Sequence, residues 1–260
     1  MTGKIIELSF LRLFIAYVFL FALISLLSFR RIKRERELLY AMLRMTLQLV
    51  FAAYVLVFIF KNASPFYTVF AVVFMEVFAI RNIYKRVRFP LNPPLRKTIA
   101  LSMGLGSSIS LIFFIFFVIG VTPWYEPRYI IPISGMIIGN SMTGISLGVF
   151  KLLEGLTTEK ESVEAALMLG ATPETASRSV VHSAFDAALL PMINNMMGMG
   201  IVFLPGLMSG QILAGASPLV SIRYQLVIML AITGSVILTV LIFIRLALKN
   251  LFNQAAQPLF

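Results

Sequence analysis

Runs of about twenty apolar residues recur along this chain, and that is the length a helix needs to cross the hydrocarbon core of a bilayer. They fall at 8–29, 38–60, 66–80, 98–120, 129–150, 189–214 and 222–248. The third is short and carries Glu76. The sixth is interrupted by Gly and Pro, so it reads as two half-helices or a re-entrant segment. Apolar residues make up 59% of the chain and charged residues 13%, too little polar surface to cover a soluble domain of 260 residues. The expectation is an all-α, polytopic integral membrane protein with about seven transmembrane helices.

The chain has 22 Lys+Arg against 11 Asp+Glu, a net charge of +11. A nucleic-acid partner is not implied, because the basic residues cluster between spans, where they set orientation and meet anionic lipid. Arg30, Arg31, Lys33, Arg34 and Arg36 follow the first span. Arg81, Lys85, Arg86, Arg88, Arg96 and Lys97 follow the third. The alternate intervals hold only Lys4, Lys61 and Arg128. The positive-inside rule then puts the amino terminus outside, and the carboxyl terminus and the interval 151–188 in the cytoplasm. Trp124, Tyr125 and Tyr129 fit the outer interface. The first span is longer than a signal-peptide core and is followed by basic residues rather than a cleavage site, so it reads as retained. With no cysteine, thiol chemistry and disulfides are excluded. No interval is long enough for a soluble domain, so residues 1–260 read as one transmembrane domain.

The interval 151–188 carries the functional signal. Thr157 or Thr158 can cap a short helix whose first turns hold Glu159, Glu161 and Glu164, and Gly170 can end it in the left-handed conformation. Thr172-Pro173-Glu174 starts a second helix running through Ala176, Val180, Ala184 and Ala187. The result is a helix–turn–helix projecting into the cytoplasm, with Leu167, Met168 and Leu169 near its tip.

Glu164, Ala165, Ala166 and Gly170 resemble the Glu-Ala-Ala-x-x-x-Gly coupling signature of ABC-transporter permeases, although Leu190-Pro191 comes later than the importer pattern expects. Three further stretches resemble the bacterial iron-export permease family, which has plant relatives linked to aluminium tolerance. They are Ile131-Pro132-Ile133-Ser134-Gly135-Met136-Ile137-Ile138-Gly139-Asn140-Ser141-Met142, Leu169-Gly170-Ala171-Thr172-Pro173 and Leu204-Pro205-Gly206-Leu207-Met208-Ser209-Gly210. Arg44 and Gln48 fit its second span, and the similarity runs from residue 38 to about 230. The resemblance implies the membrane subunit of an ABC transporter in the bacterial inner membrane, homodimeric, exporting iron or another metal ion. It also implies a separate cytoplasmic ATPase that binds ATP and magnesium, docked on Glu164, Ala165, Ala166, Leu167, Met168, Leu169, Gly170, Ala171, Thr172 and Pro173. The chain itself would bind no cofactor and would not be an enzyme. It has no phosphate-binding loop and no recognisable catalytic set, a lack that also counts against a lipid-modifying enzyme.

Polar groups inside spans are costly and are candidates for the pathway. Arg44 and Glu76, both near the cytoplasmic edge, are placed to pair, as a structural clamp or as a gate; Gln48 shares the Arg44 face. Asn140, Ser141 and Thr143, with Asn194, Asn195 and Gln211, either line a pathway or hydrogen-bond between helices. Met192, Met196, Met197, Met199 and Met208 crowd the sixth span as filler or as soft ligands, and metal ligands are not identified. His182 and Asp186 could interact. Gly135/Gly139, Gly144/Gly148 and Gly206/Gly210 are spaced for close helix packing, within the subunit or at a dimer seam. The competing function is a stand-alone secondary transporter or channel driven by an ion gradient, which a broken sixth span and Glu76 would suit.

Overall fold

A computed structural model describes residues 9–30, 34–87 and 89–252. Lys4, Arg31, Lys33 and Arg88 lie outside the described residues. The described chain is all-α and polytopic. Six helices are long and apolar enough to cross a membrane: α1 (Phe10–Phe29), α2 (Glu35–Lys61), α3 (Pro65–Arg86), α4 (Pro93–Phe113, continued to Ile119), α5 (Pro127–Thr158) and α10 (Pro218–Leu251). Between α5 and α10 stand α6 (Lys160–Met168), α7 (Pro173–Ala176), α8 (Arg178–Gly198) and α9 (Gly206–Leu213).

Proline at the first helical turn starts α3, α4, α5, α7 and α10, where its missing N–H costs no hydrogen bond. Ser64 and Asn92 cap α3 and α4 by accepting from Phe66 N and Leu95 N. Past Phe113, α4 widens into a π-helical stretch, Phe114–Ile119, which Gly120 ends at φ 64°.

The core lies between α4, α5, α8 and α10. Ile99, Met103, Ile137, Ile145, Val149, Val236, Val240 and Phe243 are fully buried there. Gly106 of α4 lies against Thr239 of α10, and Gly144 and Gly148 of α5 lie against Ala188, Ala184, Val236 and Val240. These pairs fix directions: α8 runs antiparallel to α5, and α10 runs parallel to it. Asn250 donates to Thr98 Oγ1 at 2.7 Å, tying the end of α10 to the start of α4. One end of the bundle therefore collects Arg34, Arg36, Arg81, Lys85, Arg86, Arg96, Lys97 and Lys249, and is called the basic end below. By contrast, 6% of the apolar stretch of α1 or α2 is buried inside the protein, against 56% for α5 and α10. The α1–α2 pair, joined by Tyr17 and Thr46 hydroxyls at 2.6 Å, is largely exposed, and α2 meets α3 through Phe58–Tyr67 and Arg44–Asn82.

The sixth span is divided, as its interruption by Gly and Pro allows: α8 ends at Gly198, the chain turns through Gly200 at φ 85°, and α9 is a separate short helix. Two expectations are corrected. Thr158 is the last residue of α5, not a cap, because the helix continues through its polar end; α6 starts after Glu159. The second helix of the projecting segment breaks at Ser177, whose Oγ donates to Pro173 O at 2.6 Å, so that α7 is one turn and α8 starts at Arg178.

Candidate functional site

α5 is 32 residues long, about 48 Å, which exceeds the roughly 30 Å hydrocarbon core, and α6 and α7 follow it at the basic end of the bundle. Val163, fully buried, anchors α6, and Ser179 of α8 donates to Glu159 Oε2 at 2.9 Å across its base. α6 ends in a paired-hydrogen-bond cap: Ala171 N donates to Ala166 O and Gly170 N to Leu167 O, both at 3.0 Å. Gly170 takes φ 89°, as its cap position requires. Thr172 then accepts from Thr175 N to open α7. The cap directs neighbouring side chains apart. Leu167 packs against the core, while Met168 and Leu169 are 86% and 89% exposed. Glu164 is half-exposed, 3.8 Å from Lys160. The tip is thus an apolar pair on a short, cap-closed helix, its base fixed to α5 and α8.

The intramembrane candidates do not converge on one centre. Arg44 and Glu76 are not paired. α3 continues to Arg86, which puts Glu76 midway along the helix, whereas Arg44 lies over the Phe78 ring and donates to Asn82 Oδ1 at 3.4 Å. Glu76 Oε2 lies 2.9 Å from Ser107 Oγ, beside a cavity of about 130 Å³ between α3, α4 and α5. Ser141 and Ser235 hydroxyls meet at 2.8 Å in the core, an interhelical bond between α5 and α10. Asn140 donates to Met136 O in its own helix. Gln48, Asn194 and Asn195 are exposed, and Gln211 Oε1 is buried with no partner. His182 and Asp186 are exposed and form no ion pair. Of the glycine pairs, Gly144/Gly148 are packed within the chain, while Gly135/Gly139 and Gly206/Gly210 border open space. Sequence reasoning missed Asn82, Ser107 and Ser235. Their signal was the usual one for polar groups in spans, but Gly106-Ser107-Ser108 reads equally as small-residue packing. Among the described residues no group of three or more His, Asp or Glu could hold a metal ion.

Residues 10–252 match the family described as Uncharacterised protein family UPF0014. The chain belongs to that family. A rice relative, "UPF0014 membrane protein STAR2", is 37% identical over 89% of this chain and 80% of its own length. An Escherichia coli K12 relative named "Probable iron export permease protein FetB" is 30% identical over 86% and 84%. "Protein ALUMINUM SENSITIVE 3" of Arabidopsis thaliana is 34% identical over 86% and 80%. No solved structure matches the chain. The UPF0014 match and the six apolar helices together make this an integral membrane protein.

Proposed function

We propose that the chain is the membrane permease subunit of an ABC transporter, with iron or another metal ion as exported cargo and a separate ATPase as engine. In this reading the basic end is cytoplasmic, the amino terminus is outside, and the membrane is the bacterial inner membrane. The ATPase docks on the α6–α7 turn. The observation that carries the reading is the exposure of Met168 and Leu169 on a segment fixed to α5 and α8. Apolar side chains held out into water on a rigid element fit a partner's groove. ATP and magnesium belong to that partner, and the relative named an iron export permease suggests the cargo.

A homodimer is supported from inside the membrane layer. The open Gly135/Gly139 face lets a second backbone approach closely. Asn194 and Asn195 lie about two turns beyond Ala188, near the depth of that face, where lipid offers no hydrogen bonds.

The test is co-purification of the full chain with a candidate Walker-motif ATPase, comparing wild type with Met168→Asp/Leu169→Asp. The double variant is expected to insert normally, lose the partner and lose stimulated ATP turnover. Retention of both would remove the docking assignment. The competing reading, a gradient-driven transporter, is favoured by the half-buried Glu76, and metal flux in vesicles without any ATPase would establish it.

A further inference from the structure

Ser107 has one hydroxyl proton and two close neighbours. Its Oγ lies 2.7 Å from the carbonyl oxygen of Met103, one turn back on α4, and 2.9 Å from Glu76 Oε2 on α3. If Glu76 were ionised, both neighbours would be acceptors and one proton would have to serve two. Placing a proton on Oε2 resolves the count: Glu76 donates to Ser107 Oγ, and Ser107 donates to Met103 O.

The other oxygen points the same way. Glu76 Oε1 is buried with no hydrogen-bond partner. A lone carbonyl oxygen of a neutral acid tolerates this at modest cost, whereas a carboxylate oxygen in hydrocarbon does not. Among the described residues no countercharge is at hand. The cavity walls are Val72, Val73, Val77, Leu111 and Ile138, with Ser108 the remaining polar group. α4 carries no ionisable side chain after Lys97, and α5 carries none between Tyr129 and Lys151. On α3 the next ionisable residues are Tyr67 and Arg81, each more than a helical turn away. Arg44 of α2 is engaged by Asn82 and Phe78.

We propose that Glu76 and Ser107 form a proton-binding site halfway through the membrane layer, in the α3–α4 groove. Its ligand is a proton held on Glu76 Oε2, which leaves a carboxylate behind when the groove admits water. One carboxylate and two hydroxyls are too few donors for a divalent cation, which takes six or more oxygens or a nitrogen set. The site stands apart from the α6–α7 tip, and the inference holds whether or not an ATPase docks there.

The test is labelling of the purified full chain with dicyclohexylcarbodiimide, which adds to protonated carboxyls in apolar surroundings, read by peptide mass spectrometry across pH. Glu76 should label at neutral pH, while exposed Glu161 and Glu174 should not. Glu76→Gln, which keeps the shape and the Ser107 contact, should abolish the adduct without loss of folded protein. Ser107→Ala decides the proton's place. If Ser107 accepts from the acid, its loss moves the half-labelling pH down; if Ser107 donates to a carboxylate, its loss moves it up. A downward shift supports the site. An upward shift, no shift, absence of label, or protection by manganese at fixed pH would each overturn it.

Discussion

Replacing Gly170 with alanine tests the tip most cleanly, because space and torsion separate there. A methyl group at Gly170 would meet nothing within 4 Å, so no clash complicates the result. The backbone sits at φ 89°, however, where an L-residue with a Cβ pays about 1–2 kcal/mol. That cost falls on two hydrogen bonds, Ala171 N to Ala166 O and Gly170 N to Leu167 O, which the strained residue releases first. A penalty of that size shifts the closed-to-open ratio of the cap by roughly 5–30-fold. Once open, Leu167 no longer fixes the direction in which Met168 and Leu169 emerge. Stimulated ATP turnover in reconstituted complexes is expected to fall several-fold, with amide exchange at residues 170 and 171 rising in parallel. Gly170→Asn supplies the control, since asparagine enters the left-handed region far more readily and should restore most of both signals. Equal behaviour of the Ala and Asn variants, or unchanged exchange in Ala, would refute the torsional argument.

Two further substitutions probe the bundle. Gly106→Ala would place its Cβ 2.7 Å from the Thr239 backbone, forcing α4 from α10 at a cost of about 1–3 kcal/mol. Gly104→Ala, two residues away and open, should instead be neutral or gain up to about 1 kcal/mol of helix stability; unfolding in mixed micelles distinguishes them. In the Ser141–Ser235 pair, either single alanine strands a buried hydroxyl and should cost about 1–3 kcal/mol, whereas the double variant should recover part of that loss. A double-mutant cycle showing strict additivity would deny the bond any role.

The glycines show what the sequence carried and what was left unread. Gly135/Gly139 and Gly144/Gly148 look alike as patterns, yet they are nine residues apart, which at about 100° per residue is half a circle. They must face opposite ways on α5, and they do: one pair meets Ala184, Ala188, Val236 and Val240, the other open space. Helical phase held that distinction; spacing alone did not. The caps at Thr172-Pro173 and Gly170 were legible because each acts through one or two neighbouring hydrogen bonds; Ser64-Pro65 and Asn92-Pro93 carry the same local signal and went unread. Helix ends set by packing were not legible. α3 runs past Arg81 and Asn82 to Arg86, and α5 runs past Lys151 to Thr158, since buried Ile83 and Leu156 hold each helix together after hydropathy fails. The depth of Glu76 was misjudged for that reason. Its partner Ser107 lies 31 residues away, a pairing that neither periodicity nor composition encodes.

In the proposed docking reading, the division of the sixth span, which its Gly and Pro already suggest, gives the α6–α7 segment a lever. α8 runs unbroken from Arg178, after the α6–α7 turn, to Gly198, where its last turn is exposed and helical bonding stops. At its foot α8 meets α5 where the Cβ position of Gly155 is 2.6 Å from Val180 Cγ1. Valine has little freedom to turn aside, so the two helices are locked in register at that level. In that reading a displacement of the α6–α7 turn carries both helices and reaches the 199–205 turn along α8. Gly155→Ala should separate α5 and α8 by a few tenths of an ångström or more, at a cost of about 1–3 kcal/mol, and leave the tip's cap and exposed pair unchanged. Affinity for the ATPase should stay the same while the number of ions moved per ATP falls. A normal transport ratio in that variant would mean that the turn swings as an independent loop, and α8 would lose its place as the element that passes the motion inward.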